Sequence, residues 1–481
     1  MKKFANRWGM VTLLLVLAMM AAACLPGTDD DADDAAADDD AADPADDTDD
    51  EGDSDTGDGD AEDDAGDGDD ADGDTASDDV EDVDSLVVWD VFARSNEAAV
   101  IDQLNEEFEE EHGVTIERET RPLEDLDVTL PQAMGTDDGP DIASVNQGQA
   151  VMGAMVEASL LLDLTGFADE HGWFDTFGEL MLQRNSFTED GQQFGEGNVY
   201  GVAPQAEVVG FFYHKDKLDE LGGEVPETWD ELEGLLEAAL DAGETPITYG
   251  NSEGWPGIHT YGAIQHTLVD TDYLNDLIFH TADVSFETPE NIEAAEIAQQ
   301  WAEAGYFTEN FSGIGYDDSI AAFDAGESVF MLTGSWAATE FSNAEDIGYF
   351  AVPGVDGELP PQIGGQGVPF AVRAGTEAPN LASLYVDWMV SERAAELWVE
   401  AESLPSQAPP EGTIVEGSLS DDMMSVFTAS VEEDQLGHYL DWATPTMYDT
   451  LTAAFQDLLA GGTDAEGFAA ELQADYEAGT D

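Results

Sequence analysis

YGVAPQAEVVGFFYHKDKLDELGGEVPETWDEL, Tyr200–Leu232, carries a strand, a charged turn and a helix start within 33 residues. The apolar run Val208–Tyr213 reads as a buried strand, stopped by Lys215, Asp216 and Lys217. After it, Thr228 followed three residues later by Glu231 has the spacing of a capping box. It opens an amphipathic helix, TWDELEGLLEAALDAG. A buried strand feeding a capped helix is the repeating unit of a layered α/β protein.

The same alternation extends outward. SLVVWDVFA from Ser85 is a strand. In SNEAAVIDQLNEEFEEEHG, Ser95 or Asn96 is the expected cap, Val100, Ile101, Leu104 and Phe108 fall at helical spacing, and Gly113 ends the helix. VTIERET and PDIASVN are further strands, the latter preceded by the breaker GTDDGP. LASLYVDWMVSERAAELWVEA reads as one long helix, and the chain closes on FAAELQADYEA. Residues 85–481 are too many for one core of ordinary size, so two lobes are expected.

Charge dominates the composition: 110 Asp and Glu against 11 Lys and Arg in 481 residues, a net of −99. Thr28–Asp84 alone holds 31 acidic residues among 57 and no basic one. Without apolar periodicity it cannot offset the entropy of ordering, and it reads as a self-repelling tether, 24–84. An ideal coil of that length spans roughly 40 Å, and repulsion extends it further. From Ser85 onward 79 acidic residues still face 8 basic ones. Self-repulsion on that scale strains a compact state in dilute buffer, whereas at 1 M salt the Debye length falls to about 3 Å. A saline habitat follows, and nucleic-acid or anionic-ligand binding is disfavoured.

Before the tether, Lys2, Lys3 and Arg7 precede the apolar run Trp8–Ala23, the layout of an export signal over 1–23. The run is short for a membrane span, which needs about 20 apolar residues. Ala21–Ala23 and then Cys24, the single cysteine, resemble a lipoprotein signal in which the thiol is acylated and becomes the new N-terminus. Ala21 stands where that pattern usually has Leu. One exported cysteine also leaves no intramolecular disulfide.

Several stretches, in order, resemble the extracellular solute-binding proteins of ABC transporters, in the sugar-binding group that includes maltose-binding protein. They are Gly139–Thr165, Tyr200–Leu232 and Ala321–Phe341, then GYFAVPG, GGQGVPFAVRAG, the helix from Leu381 and the LPSQ turn at Leu404–Gln407. The resemblance implies a type II periplasmic-binding fold, two α/β lobes hinged around a ligand, with no cofactor. It implies crossings near Pro204–Glu207 and Pro353–Gly354. Lobe one would then be 85–205 and 355–403, and lobe two 206–354 and 404–481. Tyr213, Lys215 and Asp216 form a turn that the family uses structurally, with Lys215 and Lys217 as local charge partners.

A sugar offers C–H faces and a rim of hydroxyls, so its site needs flat aromatic rings and planar hydrogen-bonding groups. Trp336, just past a strand ending in Gly334-Ser335, stands where the family often presents a stacking ring. Trp255, in the Gly- and Pro-rich stretch NSEGWPGIH read as a loop, and Trp442, in YLDWATPTMYDTL, are the other ring candidates. For the rim, Glu207 lies in the crossing strand where relatives carry a carboxylate, and ionised acceptors bond hydroxyls strongly. Asn146 and Gln147 follow the strand IASV at its C-terminal end, where open α/β sheets bind ligands. Arg94 follows the first strand, and Gly364, Gly365 and Gln366 come after the expected second crossing, the glycines permitting close approach. No pair among the seven His has the spacing H-x-x-x-H, and no metal is expected.

The resemblance implies a monomeric receptor at the outer face of the cytoplasmic membrane, handing a neutral sugar or oligosaccharide to permease subunits driven by a cytoplasmic ATPase. Two alternatives stay open on the residues. A secreted glycoside hydrolase needs two carboxylates about 5–10 Å apart, which so acidic a chain can always offer. A co-receptor for a membrane kinase would share the fold.

Overall fold

Strand Ala206–His214 is buried on both faces, and this explains its unbroken apolar run. Val209 and Phe211 enter one hydrophobic cluster with Phe330 and Phe350. Val208 and Phe212 enter the other, with Met331 and Tyr349. The structure is a computed structural model that describes residues 80–355 and 357–480. The export signal, Cys24 and the tether up to Asp79 lie outside the described residues.

Two sheets organise the two lobes. In the first, Ser85–Asp90 lies between Thr115–Thr120 and Ile142–Ser144, parallel to both, and Phe370–Val372 adds an antiparallel edge beside Ile142–Ser144. In the second, Ala206–His214 pairs antiparallel with Ser328–Gly334, Ile347–Ala351 and Gln362–Gln366. Thr245–Thr248 and Leu436–Gly437 complete it by parallel pairing. Helices flank both sheets, as parallel connections require.

The chain passes between the sheets at three adjacent places. Val202 bridges Phe370 of the first sheet, and four residues later Ala206 pairs with Gln366 of the second. The return runs through Gly367–Pro369, between Gln362–Gln366 and Phe370–Val372. The crossing expected at Pro353–Gly354 is therefore corrected, because the chain stays in the second sheet through Gln366, bonded to Ala206–Val208. The third passage, at Leu404–Ser406, lies against the first: Ala206 N–H donates to Leu404 O at 2.9 Å and Ser406 N–H to Pro204 O at 3.1 Å.

Local chemistry accounts for most element ends. Thr228 Oγ1 accepts from Glu231 N–H at 3.3 Å, while Glu231 Oε2 accepts from Glu227 N–H at 2.9 Å, one residue earlier than a strict capping box. The helix Ser95–His112 takes Arg94 as its cap residue, with no side-chain cap bond, and not Ser95 or Asn96. The Asn96 amide instead donates to Thr339 O at 2.7 Å, a contact between lobes. Gly113 ends that helix at φ +73°. The expected long helix from Leu381 is two, Pro379–Met389 and Glu392–Glu400, because Ser391 starts a second cap with its Oγ accepting from Ala394 N–H. Lys215 is the first residue of a short helix, Lys215–Glu220, its Nζ on Glu345 O, and Lys217 pairs with Glu244.

The end of the tether also moves. Glu81 accepts from the backbone N–H groups of Asn380 and Leu381, at 3.2 and 3.0 Å, at the first turn of Pro379–Met389. A carboxylate there satisfies orphan donors and opposes the helix dipole, so the folded body begins before Ser85.

Candidate functional site

Four rings and an imidazole meet on the second lobe, the rings each delivered near the start or end of an element. Trp255 is the first residue of helix Trp255–His266, with Pro256 next, so the expected loop is a helix start. His259 lies one turn on, on the same helical face, with ring centroids 4.9 Å apart. Tyr316 opens helix Tyr316–Asp324 and sits 4.3 Å from the Trp255 ring. Trp336 lies in the 3-10 turn that follows the fully buried strand Ser328–Gly334, 5.6 Å from His259. Tyr439, just before the turn Leu440–Ala443, is 4.9 Å from His259.

Hydrogen bonds hold the rings in place. Trp336 Nε1–H donates to the Tyr316 hydroxyl at 2.6 Å, and that hydroxyl and Thr333 Oγ1 are 2.8 Å apart. Burial pushes the Tyr316 phenol up to about 12. Trp255, His259 and Trp336 remain half-exposed, and both indoles pack against each of the two hydrophobic clusters. The chain thus presents flat apolar faces edged by neutral polar groups.

Beside the rings lies a charge centre built on Arg184, a residue that the sequence reading did not include. Arg184, 2% exposed, donates to Gln366 O at 3.3 Å and to Gly437 O at 3.1 Å, with His438 Nδ1 at 3.3 Å. Its guanidinium lies 5.1 Å from the Trp442 ring. Burial pushes the Glu207 carboxyl up to about 7, against the pull of Arg184 and a hydrogen bond with Tyr439. Asp127 also rises to about 7, through burial first, eased by the Asn146 bond and reinforced by Glu124 and Asp441. Asp441 rises to about 7 by burial.

These raised acids make stability depend on pH with a definite sign. An acid whose folded pKa exceeds its unfolded value near 4 binds more protons folded than unfolded between the two. Its stabilisation is full below about 4 and is lost as pH rises through about 7. Asp441→Asn removes one such group. Its melting temperature is expected to gain less than that of wild type when pH is lowered from 7.5 to 5. Equal gains in a side-by-side melting series would show that Asp441 does not titrate there.

The residues named from the sequence divide by environment. Trp255 and Trp336 join the ring cluster, and Glu207 lies half-buried beside Tyr439 and Arg184. Asn146 is half-buried with its amide 3.2 Å from Asp127 Oδ2. Arg94 is taken up by carboxylates, Glu97 at 3.8 Å and Asp317 of the other lobe at 3.3 Å, with the Tyr316 ring 5.9 Å away.

Three residues expected at the polar rim hold the hinge. Gln147, 3% exposed, donates to Gln366 O at 3.2 Å and Gly367 O at 2.6 Å. Gln366 is fully enclosed and its Oε1 accepts from Asn185 Nδ2 at 2.6 Å. Gly365 is at φ +144°, and a Cβ there would lie 2.4 Å from Arg184 Cζ, so its role is to seat that side chain. Gly364, similarly, has no room for a Cβ, which would meet Glu207 O at 2.8 Å. Trp442, 4% exposed, lies under the cluster, 5.2 Å from Tyr439 and against Gly148, whose absent Cβ leaves room for the indole.

Among the residues the sequence reading missed, His259 had a signal: it stands four residues after Trp255, which becomes visible once the helix is started at the tryptophan. Tyr316, Tyr439 and Arg184 had none, since long-range packing alone brings them together.

Comparison with known proteins agrees with this architecture. Residues 103–410 match the family described as bacterial extracellular solute-binding protein. A multiple sugar-binding protein of Streptococcus mutans is 29% identical over 214 residues, 43% of this chain and 51% of the relative. An uncharacterized ABC transporter extracellular-binding protein of Pyrococcus horikoshii is 26% identical over 252 residues, 52% of this chain and 56% of the relative. The chain spans about half the length of these curated relatives. Among solved structures, a chitin oligosaccharide binding protein superposes with a TM-score of 0.69 at 23% identity, over 82% of this chain and 99% of the other. The binding protein RafE in complex with raffinose gives 0.66 at 21%, over 82% and 100%. These structural likenesses establish the two-lobe fold, and the family match, covering more than half the sequence, settles the rest: the chain belongs to the bacterial extracellular solute-binding proteins.

Proposed function

We propose that this chain is the extracytoplasmic receptor of an ABC importer, binding a neutral sugar or oligosaccharide between its lobes and delivering it to the permease subunits. The observation that carries the reading is the ring cluster Trp255–Tyr316–Trp336, with flat faces and neutral polar edges. Arg94 and Arg184, which among the described residues lie beside it, are engaged by protein partners and so are not free counter-charges for an anionic ligand. The names of the relatives that bind sugars support the same class. Cys24 would carry the lipid, the acidic tract would hold a monomeric receptor off the membrane, and the surface charge suits a saline medium.

The test is a thermal-shift screen of the full chain against a carbohydrate panel in molar salt. A ligand at 100 times its Kd stabilises by about 2.7 kcal/mol, easily read as a shift. The ligand should be recovered intact. Cleaved saccharide in the mixture would make the protein a hydrolase, and no shift with any sugar would end the sugar reading.

A further inference from the structure

Within the ring cluster one buried polar atom has no partner in the protein. His259 Nδ1 is buried and makes no hydrogen bond. Three other imidazoles, two buried and one half-exposed, differ from it. His214 Nε2 is 2.7 Å from Phe323 O, His280 Nε2 is 2.6 Å from Ala443 O, and His438 Nε2 is 2.9 Å from Asn275 Oδ1. His266 also lacks a bond at its ring nitrogens, but its whole ring is enclosed, whereas part of the His259 ring lies at the surface. His259 alone combines a buried, unpartnered nitrogen with a half-exposed ring, set between Trp255, Trp336 and Tyr439 at 4.9, 5.6 and 4.9 Å.

An orphaned buried polar group costs about 1–3 kcal/mol, so in an evolved protein it marks either a structural defect or a place where a ligand supplies the bond. We infer that His259 is a specificity-determining residue of the proposed sugar site, its imidazole hydrogen-bonding one hydroxyl of a ligand stacked on the surrounding rings. The chemistry selects a hydroxyl. A neutral imidazole has one donor and one acceptor nitrogen, and a hydroxyl can serve either, whichever tautomer is present. Burial holds the ring neutral, lowering its pKa to about 3, so it offers no cation to a phosphate or carboxylate. Selectivity of this kind is steep, because an analogue lacking the hydroxyl leaves the nitrogen as unpaired as it is in the empty protein.

This inference rests on the sugar reading of the site, but one arm of its test does not. The variants are His259→Leu and His259→Phe in the full chain, and the probes are raffinose and chitotriose. In ligand-free protein, an apolar side chain removes the unpartnered nitrogen, so at least one variant, and Leu in particular, is expected to melt at or above the wild-type temperature. For whichever probe wild type binds, both variants are expected to bind about tenfold more weakly, although Trp255 and Trp336 remain. Ligand-free melting several degrees below wild type in both variants, or unchanged affinity for a bound probe, would overturn the assignment of His259. If wild type binds neither probe nor any sugar of the wider panel, the sugar reading falls, while the ligand-free melting temperatures still decide whether Nδ1 is unpartnered.

Discussion

Trp336→Ala is expected to weaken sugar binding about 30-fold or more, the loss typical of an aromatic anchor worth 2 kcal/mol or above. The indole contributes three things together. Its exposed face is available for stacking, its buried part packs against both hydrophobic clusters, and its Nε1–H fixes the Tyr316 hydroxyl. Truncation removes all three, so the Tyr316 hydroxyl keeps only Thr333 as a partner and Tyr316 and, through it, Trp255 are held less firmly. Trp336→Phe separates these contributions, since it keeps a ring and loses the hydrogen bond, and its affinity should fall between the two. Titration calorimetry at a temperature where circular dichroism shows each variant folded is the appropriate measurement. Wild-type affinity in the alanine variant would remove Trp336 from the site.

What could be read in the sequence was what local chemistry decides. The capped helix at Thr228, the doubly buried strand before it and the αL glycine at Gly113 depend on neighbours within a few residues, and each lies where the pattern put it. Errors arose where a local signal had two solutions. Gly364, Gly365 and Gln366 were placed at the polar rim because glycines admit close approach, but they form a buried strand, and what approaches Gly365 is Arg184. Gln147 stood at the correct end of its strand, yet its amide turns to the hinge carbonyls 219 and 220 residues away, a choice invisible without the third dimension. Trp336 and Trp255 were recognisable because a large ring at an element boundary is unusual. Tyr316 and His259 were not, because a tyrosine or histidine on a helix has many ordinary explanations.

Arg184→Met should cost several kcal/mol of folding stability, since each buried polar group left without its partner costs about 1–3 kcal/mol. The side chain joins the end of helix Trp173–Gln183 to the crossing strand at Gln366 and to the second sheet at Gly437. Methionine fills much of the space but takes the guanidinium donor away from Gly437 O and His438 Nδ1, and leaves Gln366 O with the Gln147 amide alone. Because the network is enclosed, the loss should persist in 2 M salt, where the half-exposed Arg94–Asp317 pair is screened; Asp317→Asn is therefore the control whose small effect disappears. Gly365→Ala should be damaging for the complementary reason, its new methyl meeting Arg184 Cζ at a strained φ. The two changes touch one another, so their costs should not add: the double variant is expected to lose less than the sum, with the clash relieved and the backbone strain left. Removing the guanidinium also withdraws the main charge that lowers the Glu207 pKa, so that carboxyl should titrate still higher than about 7. Urea unfolding by linear extrapolation reads the stability terms. A destabilisation of Arg184→Met that vanishes in high salt would mean that Arg184 is solvated and that the hinge is held by other contacts.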